Sequence, residues 1–169
     1  MRKLIVLAAV AALFLVALPV GSAGADSPFE RVSLEVETKL DSNGPPNGSF
    51  TASGPAEEAG LICDSGWSYD GPGKFSPSLG NDTAAALNIH ALKVFVCEAE
   101  SLAEALAAEE EGDVFVMRLQ IHFDKKGGFV NWVIVGGWGA YAGIAGNGDG
   151  TSVGTLVEGV TDTLSGKIR

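Results

Sequence analysis

The sequence predicts an all-β chain folded as an antiparallel β-barrel, with one short helical insertion near residues 100–111. Three observations carry that expectation. Apolar and polar residues alternate with period two in successive runs, Val32-Ser-Leu-Glu-Val-Glu37 being the cleanest. Connectors of hairpin length, rich in Gly, Pro, Asn and Asp, separate those runs. The last strands also hold no interior prolines or lysines of the kind that guard a sheet edge, which favours closure over the sandwich that the same pieces would allow.

The chain opens with Met1-Arg2-Lys3, an apolar run from Leu4 to Leu18, Pro19, and the small residues Gly21-Ser-Ala-Gly-Ala25. That order is the pattern of a secretory signal peptide with cleavage after Ala25, and it defines residues 1–25 as signal and 26–169 as one β-barrel domain. The alternative is an uncleaved anchor. The run is shorter than the roughly 20 residues a spanning helix needs, so no stable membrane anchor is expected after cleavage. The destination is the extracellular side, and no cysteine near the site marks a lipoprotein.

The whole chain has a formal charge of −10. Loss of Arg2 and Lys3 with the signal leaves 9 basic against 21 acidic residues, or −12. A surface so acidic is repelled by phosphate backbones, so no nucleic acid is expected as a partner. The only cysteines are Cys63 and Cys97, and in an oxidising compartment one intramolecular disulfide is the simplest outcome, with two buried thiols as the alternative. No third Cys or suitably spaced His completes a zinc set, so no metal and no cofactor are expected.

Taken in order, strands are expected at Val32–Glu37, Ser49–Ser53 and Leu61–Tyr69, separated by the turn-rich Asp41–Gly48 and by Gly54-Pro55. Residues 74–90 carry no readable pattern, and Leu92–Cys97 is a strand. Glu100–Glu111 is helix, because Ala, Leu and Glu favour it and Ser101 with Glu104 forms a capping-box pair. Val114–Phe123 is the longest strand, followed by Phe129–Val135 and a corner at Gly136-Gly137. A strand at Tyr141–Ala145, a turn at Asn147-Gly-Asp-Gly150, and strands at Thr151–Glu158 and Val160–Ile168 complete about eight or nine. The glycines of this last third fall in a β pattern with no helix start or Lys-Ser/Thr behind them, so they do not make a phosphate loop.

Gly136-Gly-Trp-Gly-Ala-Tyr-Ala-Gly143 resembles the Gly-Gly-Thr-Gly-x-aromatic corner of the allene oxide cyclase and dirigent superfamily, with Trp138 in place of the customary Thr. Phe50–Pro55, Leu61–Gly66, Val94–Cys97, Val116–Gln120 and Asp162–Ile168 resemble secreted bacterial members of that superfamily. The resemblance implies an eight-stranded antiparallel barrel with a largely apolar lumen, two cysteines bridging neighbouring segments, and a homo-oligomer, trimeric as in plant relatives. It also implies functions that work by holding an apolar substrate in one conformation. Glu35-Val-Glu37 is the nearest match to the lumenal Glu-x-Asn pair of plant cyclases, departing at its second position.

Glu35 and Glu37 are therefore the catalytic candidates, since two carboxylates in an apolar lumen suit acid–base work. Against that stands the alternation itself, which turns Val32, Leu34 and Val36 to the core and the glutamates to water. Trp138 and Tyr141 are the ligand-binding candidates, with core packing as their alternative, and with Trp67, Tyr69 and Trp132 they would also suit a sugar-stacking platform. His90 and His122 have no visible partner, and no Gly-x-Ser-x-Gly nucleophile motif occurs. Asn47-Gly-Ser49 and Asn81-Asp-Thr83 are glycosylation sequons. Asn147–Gly150 lacks the remaining ligands of a calcium loop.

Three functions fit this inventory. The first is a barrel that binds a small apolar molecule without catalysis. The second is an isomerase or cyclase of the allene oxide cyclase or dirigent type, and the third an extracellular interaction or glycan-binding protein with a solid barrel.

Overall fold

The computed structural model describes residues 28–39, 44–71, 78–79, 87–108, 111–124, 127–155 and 158–169. The strands are β1 (Glu30–Thr38), β2 (Asn47–Ser53), β3 (Ser65–Asp70), β4 (Ser78–Leu79), β5 (Leu87–Cys97), β6 (Val114–Asp124), β7 (Gly127–Trp138), β8 (Gly146–Thr155) and β9 (Gly159–Ile168). They run antiparallel in the order β3-β2-β1-β9-β8-β7-β6-β5-β4, and β3 pairs back onto β5 to close eight of them into a barrel. The two-residue β4 continues along β5 where β3 has ended. The expected fold class is the observed one.

Register sets the barrel's width. The hydrogen-bonded row that leaves β5 at Cys97 passes through Gly66, Phe50, Val36, Asp162, Ser152, Gly128 and Phe123 and returns to β5 at Leu87, a stagger of ten residues (97 to 87). Eight strands so staggered tilt by roughly 40° and enclose a space that side chains can fill or that can hold one small ligand.

Alternation decides which residues enter it. Val32, Leu34 and Val36 on β1, Phe95 on β5, Phe115, Met117 and Leu119 on β6, Val130 and Trp132 on β7, and Leu164 and Ile168 on β9 are all buried in one core. A bulge between Val116 and Met117 shifts the pairing with β7.

One end of the barrel is plugged. The β2–β3 connection forms the short helix α1 (Pro55–Glu58), which puts Ala56 and Ile62 into the core. The disulfide Cys63–Cys97 fastens it to the end of β5. Above the plug Phe95 stacks on Phe115 at 4.7 Å, while Phe50 and Tyr141 meet this pair edge-on. The helical insertion is α2 (Leu102–Ala108), capped by the Ser101 and Glu104 pair. It lies outside the barrel, where Ala105 joins Tyr69, Val94, Val96 and Val114 in a second small core.

Four local expectations are corrected. The segment 61–64 is not strand, because it belongs to the plug and β3 begins at Ser65. The chain does not turn at Gly136-Gly137: β7 runs on to Trp138, and the corner is a 3-10 turn at Gly139–Tyr141. Gly139 has φ +64°, and a Cβ there would collide with the Asp113 carboxylate, so only glycine serves. Tyr141–Ala145 is accordingly not a strand, and Asn147–Gly150, expected as a turn, lies within β8.

The last correction has a packing cause. Gly146, Gly148 and Gly150 alternate along β8, facing inward, and leave its inner surface bare. Side chains from both neighbouring strands fold over it: Ile134 and Ile168 over Gly146, Trp132 over Gly148, and Leu164 over Gly150. The Trp132 indole also covers Gly166 on β9 and donates its N–H to the carbonyl of Ser165 at 3.2 Å. Bulky and absent side chains alternate so that a Trp fits inside a small barrel.

Candidate functional site

Opposite the plug, the inner wall changes character. On β6 the inward residues pass from Leu119, fully buried, to Ile121 at 9% exposure and half-buried Phe123. On β1 they pass from buried Val36 to half-buried Thr38, and on β9 from buried Leu164 and Asp162 to half-buried Val160. The barrel loosens towards this mouth. Residues 40–43, 72–77, 80–86, 125–126 and 156–157 lie outside the described residues.

Just inside the mouth the apolar lining gives way to charge. Lys93 sits on the inward face of β5 between Ala91 and Phe95 and is 3% exposed. Its ammonium donates to Asp70 Oδ1 at 2.7 Å and to Thr38 Oγ1 at 3.1 Å, tying β5 to β3 and β1. Asp162 on β9 shares this space and is 2% exposed. Burial raises its carboxyl pKa above the ordinary carboxylate value, the Ser152 hydroxyl and Lys93 ammonium counter that rise, and Asp70 reinforces it. Ser152 is its register partner on β8, but the hydroxyl sits beside the carboxyl without completing a hydrogen bond. Ser152 Oγ and Asp162 Oδ1 are both buried with no hydrogen-bond partner.

Such groups are expensive to bury. An ion pair taken from water recovers its desolvation only with good geometry, and an unpaired polar atom costs about 1–3 kcal/mol. The Lys93–Asp70 pair has that geometry; the Asp162–Ser152 pair does not. Chemically the cluster offers one committed cation, one committed carboxylate, and a carboxyl and hydroxyl with bonding capacity left over.

The candidates from sequence fall elsewhere. Glu35 and Glu37 are exposed on the outer face of β1, and the alternation that buried Val32, Leu34 and Val36 placed them there. Trp138 packs in the outer core under α2. Tyr141 stands at the plugged end, where burial and then Asp113 raise its phenol pKa, so it remains neutral. His90 and His122 are exposed on the outer wall, with His122 Nδ1 2.6 Å from Asn88 Oδ1. The Asn47 side chain is buried, bonded to the Pro45 carbonyl and the Trp67 indole N–H. Asn81 lies outside the described residues.

Sequence reading missed Asp70, Lys93, Ser152 and Asp162. A signal for two of them existed: Lys93 and Asp162 both occupy inward positions of their strands' alternation, where a charge contradicts the pattern.

A shallow groove of about 400 Å³ lies between the end of β5 and α2, lined by Cys97, Glu98, Ala99, Glu104, Ala107 and Ala108. No group of three or more His, Cys, Asp or Glu placed to hold a metal occurs among the described residues. Comparison with family models, curated proteins and solved structures returns no match.

Proposed function

We propose that this is a secreted barrel of the allene oxide cyclase/dirigent-like type, freed of its signal after Ala25, that binds a small, largely apolar molecule in the mouth half of its lumen. The observation that carries the reading is the unsatisfied Asp162–Ser152 pair on the inner wall of an otherwise apolar barrel. A bound molecule with one polar group would recover the cost of that pair, while Ala91, Ile121 and Phe123 would receive its apolar body. The plugged half contributes rigidity, with Phe95, Phe115, Met117 and Leu119 fully buried.

Native mass spectrometry of the exported protein tests this. A retained organic molecule, lost in an Ala91→Trp variant that fills the mouth, supports binding. A bare mass that also takes up no environment-sensitive apolar dye refutes it and favours a solid barrel that works through its surface.

The cyclase reading keeps one observation in its favour. Asp162 is an inward-facing carboxyl whose pKa burial raises, a position that exposed Glu35 and Glu37 do not occupy. Turnover of a retained ligand that is abolished by Asp162→Asn, with binding intact, would promote it; unchanged ligand would leave binding alone.

A further inference from the structure

We infer that the outer wall of the barrel carries a site for a divalent transition-metal cation, Cu²⁺ above all, built from His90 on β5 and His122 on β6. The site faces away from the lumen and stands independently of the ligand-binding reading above.

The chain has two histidines, and the fold brings both to one place. Asn88 pairs with His122 and His90 with Gln120 across β5 and β6, so the two imidazoles are diagonal neighbours on one face of the sheet. Both are exposed. Diagonal positions of an antiparallel pair lie about 7–8 Å apart, within reach of aromatic side chains. Two imidazoles rooted at that separation can turn their ring nitrogens onto one ion between them.

His122 is already set for this role. Its Nδ1 lies 2.6 Å from Asn88 Oδ1. An amide oxygen only accepts, so Nδ1 carries the proton and the lone pair of the neutral ring is on Nε2. A ring N–H held by an oxygen acceptor is the usual support of a metal-binding histidine, because it fixes both tautomer and orientation. On its other side His122 stands opposite Phe129 of β7, whose ring offers no competing acceptor of that strength.

The surroundings select the ion. The outward positions around the pair hold Asn88 and Leu92 on β5, Arg118 and Gln120 on β6, and Asn131 on β7, with no carboxylate among them. Ca²⁺ and Mg²⁺ depend on oxygen ligands, carboxylates foremost. Imidazole suits Cu, Zn and Ni, and Cu²⁺ is the tightest of these at a given site. Two protein nitrogens with solvent in the remaining positions satisfy a square-planar ion, so no third side-chain ligand is needed. The net charge of −10 favours approach of a cation to the chain, and Arg118 is the one charge that opposes it locally.

Calorimetric titration of the exported protein with CuCl₂, NiCl₂ and CaCl₂ tests this, with electron paramagnetic resonance of the copper complex. Cu²⁺ should bind more tightly than Ni²⁺, and Ca²⁺ should not bind at these residues. His90→Ala and His122→Ala should each weaken Cu²⁺ binding about tenfold or more, and Asn88→Ala, which keeps both imidazoles, about tenfold. The resonance should show coupling to two imidazoles in the parent and to one in either histidine variant. Both histidines are exposed, so the metal-free variants should melt with the parent. Unchanged Cu²⁺ affinity in the His90→Ala/His122→Ala double variant, or a parent spectrum with a single imidazole, overturns the inference. Either result leaves the lumenal reading standing, since neither histidine faces the lumen.

Discussion

The indole of Trp132 occupies the space that a side chain on Gly166 would fill. The two residues are separated by β8, whose intervening Gly148 is equally bare, so the ring crosses a strand to reach the Ser165 carbonyl. Gly148 and Gly166 are therefore a bed for a large side chain, and the corner is confined to Gly139–Tyr141.

Gly166→Ala places a methyl group against Trp132 and the Asn147 carbonyl. Two backbones and a ring must yield, at a cost of about 1–3 kcal/mol or more. The expected result is a lower midpoint in denaturant unfolding with an unchanged slope. Trp132→Leu in the same background should return part of the loss, because it removes the colliding ring.

The Cys63–Cys97 disulfide closes a loop of 34 residues' separation and pins the plug. In the chain-entropy picture it contributes roughly 3–4 kcal/mol. The double Cys→Ala variant should unfold at correspondingly lower denaturant. Free-thiol labelling of the unfolded, unreduced parent should find no reactive cysteine.

Asp162 gives stability a pH dependence of definite sign. Its folded pKa is raised above the ordinary 3.8 by burial, so the folded chain holds the proton more tightly than the unfolded one. Below 3.8 the residue costs nothing; the cost grows as pH rises through the folded value and is complete above it. Asp162→Asn should raise the melting temperature at pH 8, with the gain over the parent shrinking steadily towards pH 4. An equal gain at both pH values would remove burial of the charge as its cause.

Much of this fold is written in period two. The alternation along Val32–Val36 and Phe115–Phe123 fixed the inner face of β1 and β6, because a strand's side chains have only two directions to choose from. Glycine hid the same rule. Gly146, Gly148 and Gly150 also alternate, but a residue without a side chain reads as a turn when it stands beside Asn and Asp, and the reason for extended structure was Trp132, fourteen residues upstream of Gly146. The plug was illegible because Ala56 and Ile62 are buried by the barrel end and not by any local pattern. The charged cluster was illegible because Asp70, Lys93 and Asp162 come from three strands whose proximity depends on barrel closure and stagger.

The central claim is that this barrel binds at one end only. Amide chemical-shift mapping during titration with octanol addresses it most directly. The expected shifts cluster at Ala91, Lys93, Ile121, Ser152 and Asp162, with Ala56, Ile62 and Tyr141 at the plugged end unmoved. Shifts centred on the plug or on the outer wall, or none at all at saturating probe, would contradict it.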